Sequence, residues 1–252
     1  MINKENSNEY YFSDFTLDEY SKLLSFSKEN YNFCDYTNFT SHEEFLLWRH
    51  DLDFSIPRAL KLAKIENKFE ISATYFIHLH NGFYNIFDKK MTQMINEIVE
   101  LGHKLGIHVD TDYYDIENEN QLISCLEFES KILKRLFGET PKVFSFHGPS
   151  KKTLKTFTEF KYNDMVNTYS KFFYEKVTYC SDSNGIWRFD RLKDLLHSKK
   201  HNKLQILTHP AWWTETPLSP TDRIKTSMEF MHNLTFDEYS LGRKSRNRTI
   251  ID

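Results

Sequence analysis

Glycine and proline are scarce, at 7 and 6 of 252 residues, which excludes a loop-dominated or disordered chain. The three cysteines, Cys34, Cys125 and Cys180, are too few and too separated for a disulfide framework or a thiolate zinc site, and they fit a reducing compartment. No run of about eighteen apolar residues occurs, so no membrane span is expected. The first thirty residues are polar and acidic, without the apolar core of a signal peptide, and a cytoplasmic location follows as the expectation. Lysine and arginine are scattered through a chain of formal net charge -3, with no basic stripe, so nucleic acid is not an expected partner. The basic run Arg243-Lys244-Ser245-Arg246-Asn247-Arg248 reads as a solvated terminal segment. Glycine-rich phosphate loops, nucleophile-elbow serines and cysteines with a nearby histidine are also missing, which leaves dinucleotide enzymes, kinases and covalent hydrolases without support. Nothing in the sequence speaks to oligomeric state.

What is present is aromatic, with 22 Phe and 14 Tyr, and patterned. A short helix over Leu17 to Phe26, capped by Thr16, belongs to an acidic and aromatic extension over residues 1–44. Beyond it, over 45–252, elements alternate. Strands are predicted at Phe45 to Asp53, Ser72 to Leu79, Lys104 to Val109, Lys142 to Phe146, Met165 to Tyr169, Val177 to Ser181 and Leu204 to Thr208. Helices are predicted at Ile56 to Asn67, Asp88 to Leu101, Asn118 to Phe137, Lys151 to Phe160, Arg191 to Ser198 and Pro220 to Asn233. This alternation predicts one α/β domain around a parallel sheet, wound open or closed as a barrel.

The chemistry gathers at strand ends, where α/β barrels keep their active sites. His50, Asp51 and Asp53 close the first strand, His108, Asp110 and Asp112 the third; His147, Asp182 and His209 follow later ones. Asp51 and Asp53 are two apart, so a strand presents both carboxylates to one side, and a metal or a shared proton must relieve their repulsion. The competing account of Asp53 is a helix cap before Pro57, a role Ser55 could also fill. His108 in an apolar setting suits a metal ligand, against a hydrogen-bonded core histidine; Asp110 could ligate or orient it. His147, before the Gly148-Pro149 turn, fits a third ligand or a substrate contact equally. His209, held by Pro210, suits a general acid. Asp182 lies in Asp-Ser-Asn-Gly, which is also ordinary turn chemistry, and Trp212 and Trp213 are more often packing than a sugar platform. His42, His78, His80, His197, His201 and His232 join no constellation and read as structural or exposed.

In their order and spacing these motifs resemble the polysaccharide deacetylase (NodB-homology) superfamily over Phe45 to Thr216, and more narrowly a divergent branch with an Arg-His-Asp-x-Asp first motif. Arg49-His50-Asp51-Leu52-Asp53 looks like that superfamily's Thr-Phe-Asp-Asp-Gly with one residue between the acids. Gly102-His103-Lys104-Leu105-Gly106-Ile107-His108 looks like the lead-in to its second motif, and His209 stands where its closing motif places a catalytic acid. The position four after His108 is Asp112 where the superfamily has histidine, and Phe146-His147-Gly148-Pro149 lacks the usual arginine of the third motif.

The resemblance implies a distorted (β/α)7 barrel and metal-assisted hydrolysis of an N-acetyl group on a sugar, in surface-glycan biosynthesis. It implies Asp51 as catalytic base, His209 as catalytic acid, and Asp53 and His108 as ligands of a divalent ion, zinc by donor type. The metal set is completed from Asp110, Asp112 or His147, with Arg49, His50, Asp112, Asp182 and Trp212 left to contact an acetamido sugar. A non-sugar C–N hydrolase of the deformylase or cyclic-amidase type, and a barrel that has lost catalysis and only binds, stand as alternatives.

Overall fold

The computed structural model describes residues 9–245. Nine strands form one sheet in the order β6-β7-β5-β4-β3-β2-β9-β8, with β1 paired to β2 off this path. The strands are β1 (Phe33–Cys34), β2 (Phe45–Leu52), β3 (Thr74–Ile77), β4 (Lys104–Val109), β5 (Val143–Phe146), β6 (Lys161–Tyr162), β7 (Met165–Asn167), β8 (Thr178–Ser181) and β9 (Lys203–Thr208). Along that path all pairings are parallel except β6 with β7. The seven strands β2, β3, β4, β5, β7, β8 and β9 therefore run in chain order around a distorted (β/α)7 barrel, and no ladder joins β7 to β8 among the described residues.

Contacts across the interior show how far the sheet curls. The Gln205 side chain on β9 donates to the Thr168 carbonyl just beyond β7 (3.3 Å). The Arg49 guanidinium on β2 lies 5.2 Å from the centre of the Tyr169 ring. Neither reach is possible across a flat sheet, in which β2 and β7 are separated by three strands.

The sheet divides the core in two. Strand residues alternate between faces, and in β2 Phe45 and Leu47 join the aromatic plug of the lumen while Leu46, Trp48 and Leu52 join the larger layer under the helices. Tyr36 and Phe39, from the segment before β2, fill the lumen floor with Phe76 and Phe173. The floor is tight: a Cβ added at Gly106 would stand 2.6 Å from the Phe76 ring. The described segment before β2 is thus built into the barrel. Helix α1 (Leu17–Asn30) buries Tyr20, Leu23 and Leu24 in the helix layer, and β1 extends the sheet beside β2.

The remaining helices are α2 (Ile56–Lys68), α3 (Lys89–Glu100), α4 (Glu119–Phe137), α5 (Lys151–Thr156), α6 (Lys171–Lys176), α7 (Leu192–Ser198) and α8 (Pro220–Ser245). Their starts follow side-chain chemistry. Ser55 accepts the Arg58 N–H before Pro57, Asp88 accepts from Lys90 and Met91, and Asn118 with Gln121 forms a capping box. Helix α4 stops at Gly138, whose φ of 73° suits glycine. Strands β1 and β6 and helix α6 were not among the expectations, β3 is shorter than expected, and three helices end elsewhere. Helix α1 runs four residues further, because Tyr31 still donates to the Ser27 carbonyl. Helix α5 ends early at Thr156, and α8 continues well past Asn233. The part of the basic run beyond Ser245 lies outside the described residues. No helix among the described residues is long and apolar enough to cross a membrane.

Candidate active site

The mouth of the barrel, at the carboxyl ends of β2 to β5, β8 and β9, gathers the titratable side chains. Strand alternation sends Arg49, Asp51 and the residue after the strand, Asp53, toward the lumen. Ser55 takes the capping role at α2, which leaves the Asp53 carboxylate free for the mouth. Its Oδ1 stands 3.1 Å from His108 Nε2 and 3.3 Å from His147 Nδ1, and those two nitrogens are 3.2 Å apart. Three donors from three strands converge on one point.

Each donor is held from behind. His108 on β4 has Nδ1 2.7 Å from Ser145 Oγ on β5, so donation there leaves the Nε2 lone pair facing Asp53. The His147 backbone N–H donates to the Val109 carbonyl (2.8 Å), continuing the β4–β5 ladder one residue beyond β5. His78, just past β3 and expected to be structural or exposed, is a fourth candidate donor. A donor atom of its ring lies within 4.8 Å of donors on Asp53 and His147, and its buried Nε2 has no hydrogen-bond partner. Burial, with His108 and His147 nearby, pushes its pKa down to about 4, so the ring is neutral. Only strand β3, lying between β2 and β4 in the sheet, reveals its place.

The set fits a divalent ion. Asp53 Oδ1 and His78 Nε2 are buried polar atoms without hydrogen bonds, a costly arrangement unless another group satisfies them. Burial works to raise the Asp53 pKa, but the His108 and His147 imidazoles beside it hold it well below the usual carboxylate range. Imidazole nitrogens with one carboxylate are the donor type that zinc takes.

Asp51 lies deeper. Its Oδ2 is 2.8 Å from Arg49 Nη2 and 3.8 Å from His108 Nδ1, and its Oδ1 has no partner. Burial raises its pKa, yet Arg49, then His108 and His209, outweigh that and keep the carboxylate ionised. Arg49 is wholly buried, with its guanidinium 4.9 Å from the Phe76 ring centre and 5.2 Å from that of Tyr169. It is a lumen residue beneath Asp51 and not a surface that meets substrate.

His209, after β9, completes the mouth. Its Nε2 is 3.6 Å from Asp53 Oδ2, and its Nδ1 is 2.6 Å from Asp182 Oδ1. Asp182 is fully buried and also accepts the His209 backbone N–H and the Trp213 indole N–H. Burial disfavours the imidazolium of His209, but Asp182 reverses that and lifts its pKa to about 9. The Asp182 carboxylate is spent on this pairing, which corrects its expected role as a substrate contact.

Other expected site residues are placed elsewhere. His50 alternates to the helix side, where Nε2 is 2.6 Å from Glu66 and Nδ1 2.9 Å from Thr208. Tyr20 and Tyr75 also donate to Glu66, so His50 belongs to a buried polar network and not to the centre. Asp110 Oδ1 accepts from the Asp112 and Tyr113 N–H groups, and its Oδ2 stands 3.7 Å from His78. Asp110 therefore closes a turn beside the donors. Asp112 is exposed in a polar groove with Gln121, Ser150 and Lys152, away from them. Trp212 is buried against Phe54, at a ring distance of 5.4 Å, and packs over Gly185.

No family model and no curated protein matches the sequence. Among solved structures the chain is similar to the Xyl-CE4 domain of a multidomain xylanase from the hindgut metagenome of Trinervitermes trinervoides, at 12% identity over 78% of this chain and 85% of that one, TM-score 0.44. It is also similar to the chitin deacetylase of the fungal pathogen Colletotrichum lindemuthianum, at 15% identity over 73% and 80%, TM-score 0.42. A third is a family 4 carbohydrate esterase from Streptomyces lividans in complex with acetate, at 14% identity over 76% and 89%, TM-score 0.43.

Proposed function

We propose that this chain is a metal-dependent hydrolase that removes an N-acetyl group from a sugar, serving surface-glycan biosynthesis. The observation that carries the reading is the convergence of Asp53 Oδ1, His108 Nε2 and His147 Nδ1 within 3.1–3.3 Å of one another, between an anionic Asp51 and a cationic His209. A base and an acid whose environments drive their pKa values apart are the pairing that amide hydrolysis requires. The sugar substrate and its acetyl group come from the motif resemblance.

Asp53, His108 and His147 would hold the divalent ion, with His78 as a further donor. Bound there, such an ion polarises an acyl carbonyl and makes a water more acidic. Asp51, kept ionised by Arg49, takes the proton of the attacking water. His209, kept protonated by Asp182, delivers a proton to the departing amine nitrogen, which otherwise leaves as an unstable anion. Asp182 also fixes the ring so that Nε2, not Nδ1, faces the mouth.

The test pairs elemental analysis with product release. Purified protein is analysed for bound metal, then assayed for acetate and formate from acetamido and formamido sugars, with Asp51→Asn as control. Bound zinc and acetate release that Asp51→Asn abolishes are expected. Formate alone would move the reading to a deformylase, and absence of both metal and release would leave a binding barrel.

A further inference from the structure

The carboxylate behind the catalytic acid has a support of its own. Asp182 opens a tight turn in which the Gly185 N–H donates to the Asp182 carbonyl (2.9 Å). The sequence specifies that turn: Asn184 and Gly185 both take positive φ, 63° and 74°, and a Cβ at Gly185 would stand 3.0 Å from the Trp212 ring. Arg223, in the first turn of α8, closes over it. Its Nη1 donates to the Gly185 carbonyl (2.8 Å) and its Nη2 to the Phe12 carbonyl (3.3 Å), with the guanidinium 4.3 Å from the centre of the Phe15 ring. The helix turn that carries Arg223 is tied in the same way to the loop after His209, because Arg58 on α2 donates to the carbonyls of both Arg223 and Ala211. One arginine-bearing turn thus joins the segment of Asp182 to the segment of His209.

Arg223 is wholly buried, and its Nε has no hydrogen-bond partner. Anchoring two carbonyls needs only neutral donors. A full positive charge out of water is costly, and the anion whose field supports this one is the equally buried Asp182, while Arg58 opposes it. We infer that Arg223 is a positioning residue of the catalytic acid: it fixes the turn that aims the Asp182 carboxylate at His209 Nδ1, and its charge balances that of the carboxylate. The inference rests on the deacetylase reading for the acid's task, and on geometry alone for the clamp.

The experiment uses the full chain loaded with zinc, as wild type, Arg223→Met, Arg223→Lys, Asp182→Asn and the double variant Arg223→Met with Asp182→Asn. Acetate release from glycosides of N-acetylglucosamine is followed beside the proton resonance of His209 Nδ1–H, which lies far downfield when that proton is bonded to Asp182. Arg223→Met should lower kcat about 100-fold, the cost of a small misplacement of a catalytic group, with KM and zinc content unchanged. Arg223→Lys keeps the charge but not the planar fork, and should recover about tenfold of that loss. The double variant should lie within about twofold of Asp182→Asn, because an effect exerted through Asp182 disappears with it. In Arg223→Met the resonance should move upfield or vanish. Losses that multiply in the double variant, or a resonance that Arg223→Met leaves in place, would overturn the inference and make Arg223 an anchor of the fold only. Where Arg223→Met does not fold, Arg223→Lys compared in the same way with Asp182→Asn decides the point. No acetate release from the wild type would sink the deacetylase reading, and the resonance would still report whether Arg223 holds the pair.

Discussion

Asp182 Oδ1 lies 2.6 Å from His209 Nδ1, and the same carboxylate takes the His209 backbone N–H, so one buried acid sets both the ring and the chain that carries it. Asp182→Asn keeps the shape and loses the charge. By analogy with buried carboxylates behind catalytic imidazoles, kcat for acetate release should fall by about 10³- to 10⁴-fold. The alkaline limb of the kcat/KM profile should also move to lower pH, because Asp182 supports an imidazolium that persists to about pH 9. A variant with full activity and an unmoved limb would remove His209 as the acid.

The donor set makes its own prediction. Asp53→Ala and His147→Ala should each remove stoichiometric metal by elemental analysis, and His78→Ala should weaken binding without abolishing it. Because an ion held only by the folded state stabilises it, a chelator should lower the Tm of the wild type and leave that of Asp53→Ala unmoved. Retention of full metal content in Asp53→Ala would displace the centre.

Arg49 and Asp51 form an ion pair at 2.8 Å with side chains 0% and 2% exposed. Removing one partner strands the other charge, so Arg49→Leu should cost about 3–5 kcal/mol in urea denaturation. Arg49→Leu combined with Asp51→Asn should cost much less than the sum of the two single changes. Additive losses would show that the pair does not couple.

Glu129 on α4 is fully buried, neither of its carboxylate oxygens has a hydrogen bond, and His80 Nε2 is 3.9 Å away. Burial, opposed by the nearby Tyr114 hydroxyl and aided by Asp110, pushes its pKa up from 4.5 to about 8. The folded chain then holds a proton that the unfolded chain releases between those values, so stability falls as pH rises through that window. Glu129→Gln should raise Tm by several degrees at pH 8 and change it little at pH 4.5. An equal change at both pH values would count against an uncharged Glu129.

The sequence by itself determined the barrel's repeating units. Parallel strands buried on both faces need apolar runs, and their helices need caps, so Phe45 to Leu52, Ser55, Asn118 and Gly138 announce themselves locally. It also determined that Asp51 and Asp53 face one way, because the period of a strand is two. The same period assigned His50 to the opposite face, a consequence legible in the sequence that the clustering of polar residues obscured; alternation against Trp48 and Leu52 was the signal. Tertiary structure alone decided the rest. His78, His108 and His147 stand 30 to 69 residues apart and meet because β3, β4 and β5 are neighbours in the sheet, a pairing no local propensity encodes. The same holds for Asp182, whose turn-like sequence hides a carboxylate that β8 places against His209 beside β9. Side-chain type and spacing set what chemistry was possible; strand order set which groups could share a proton or an ion.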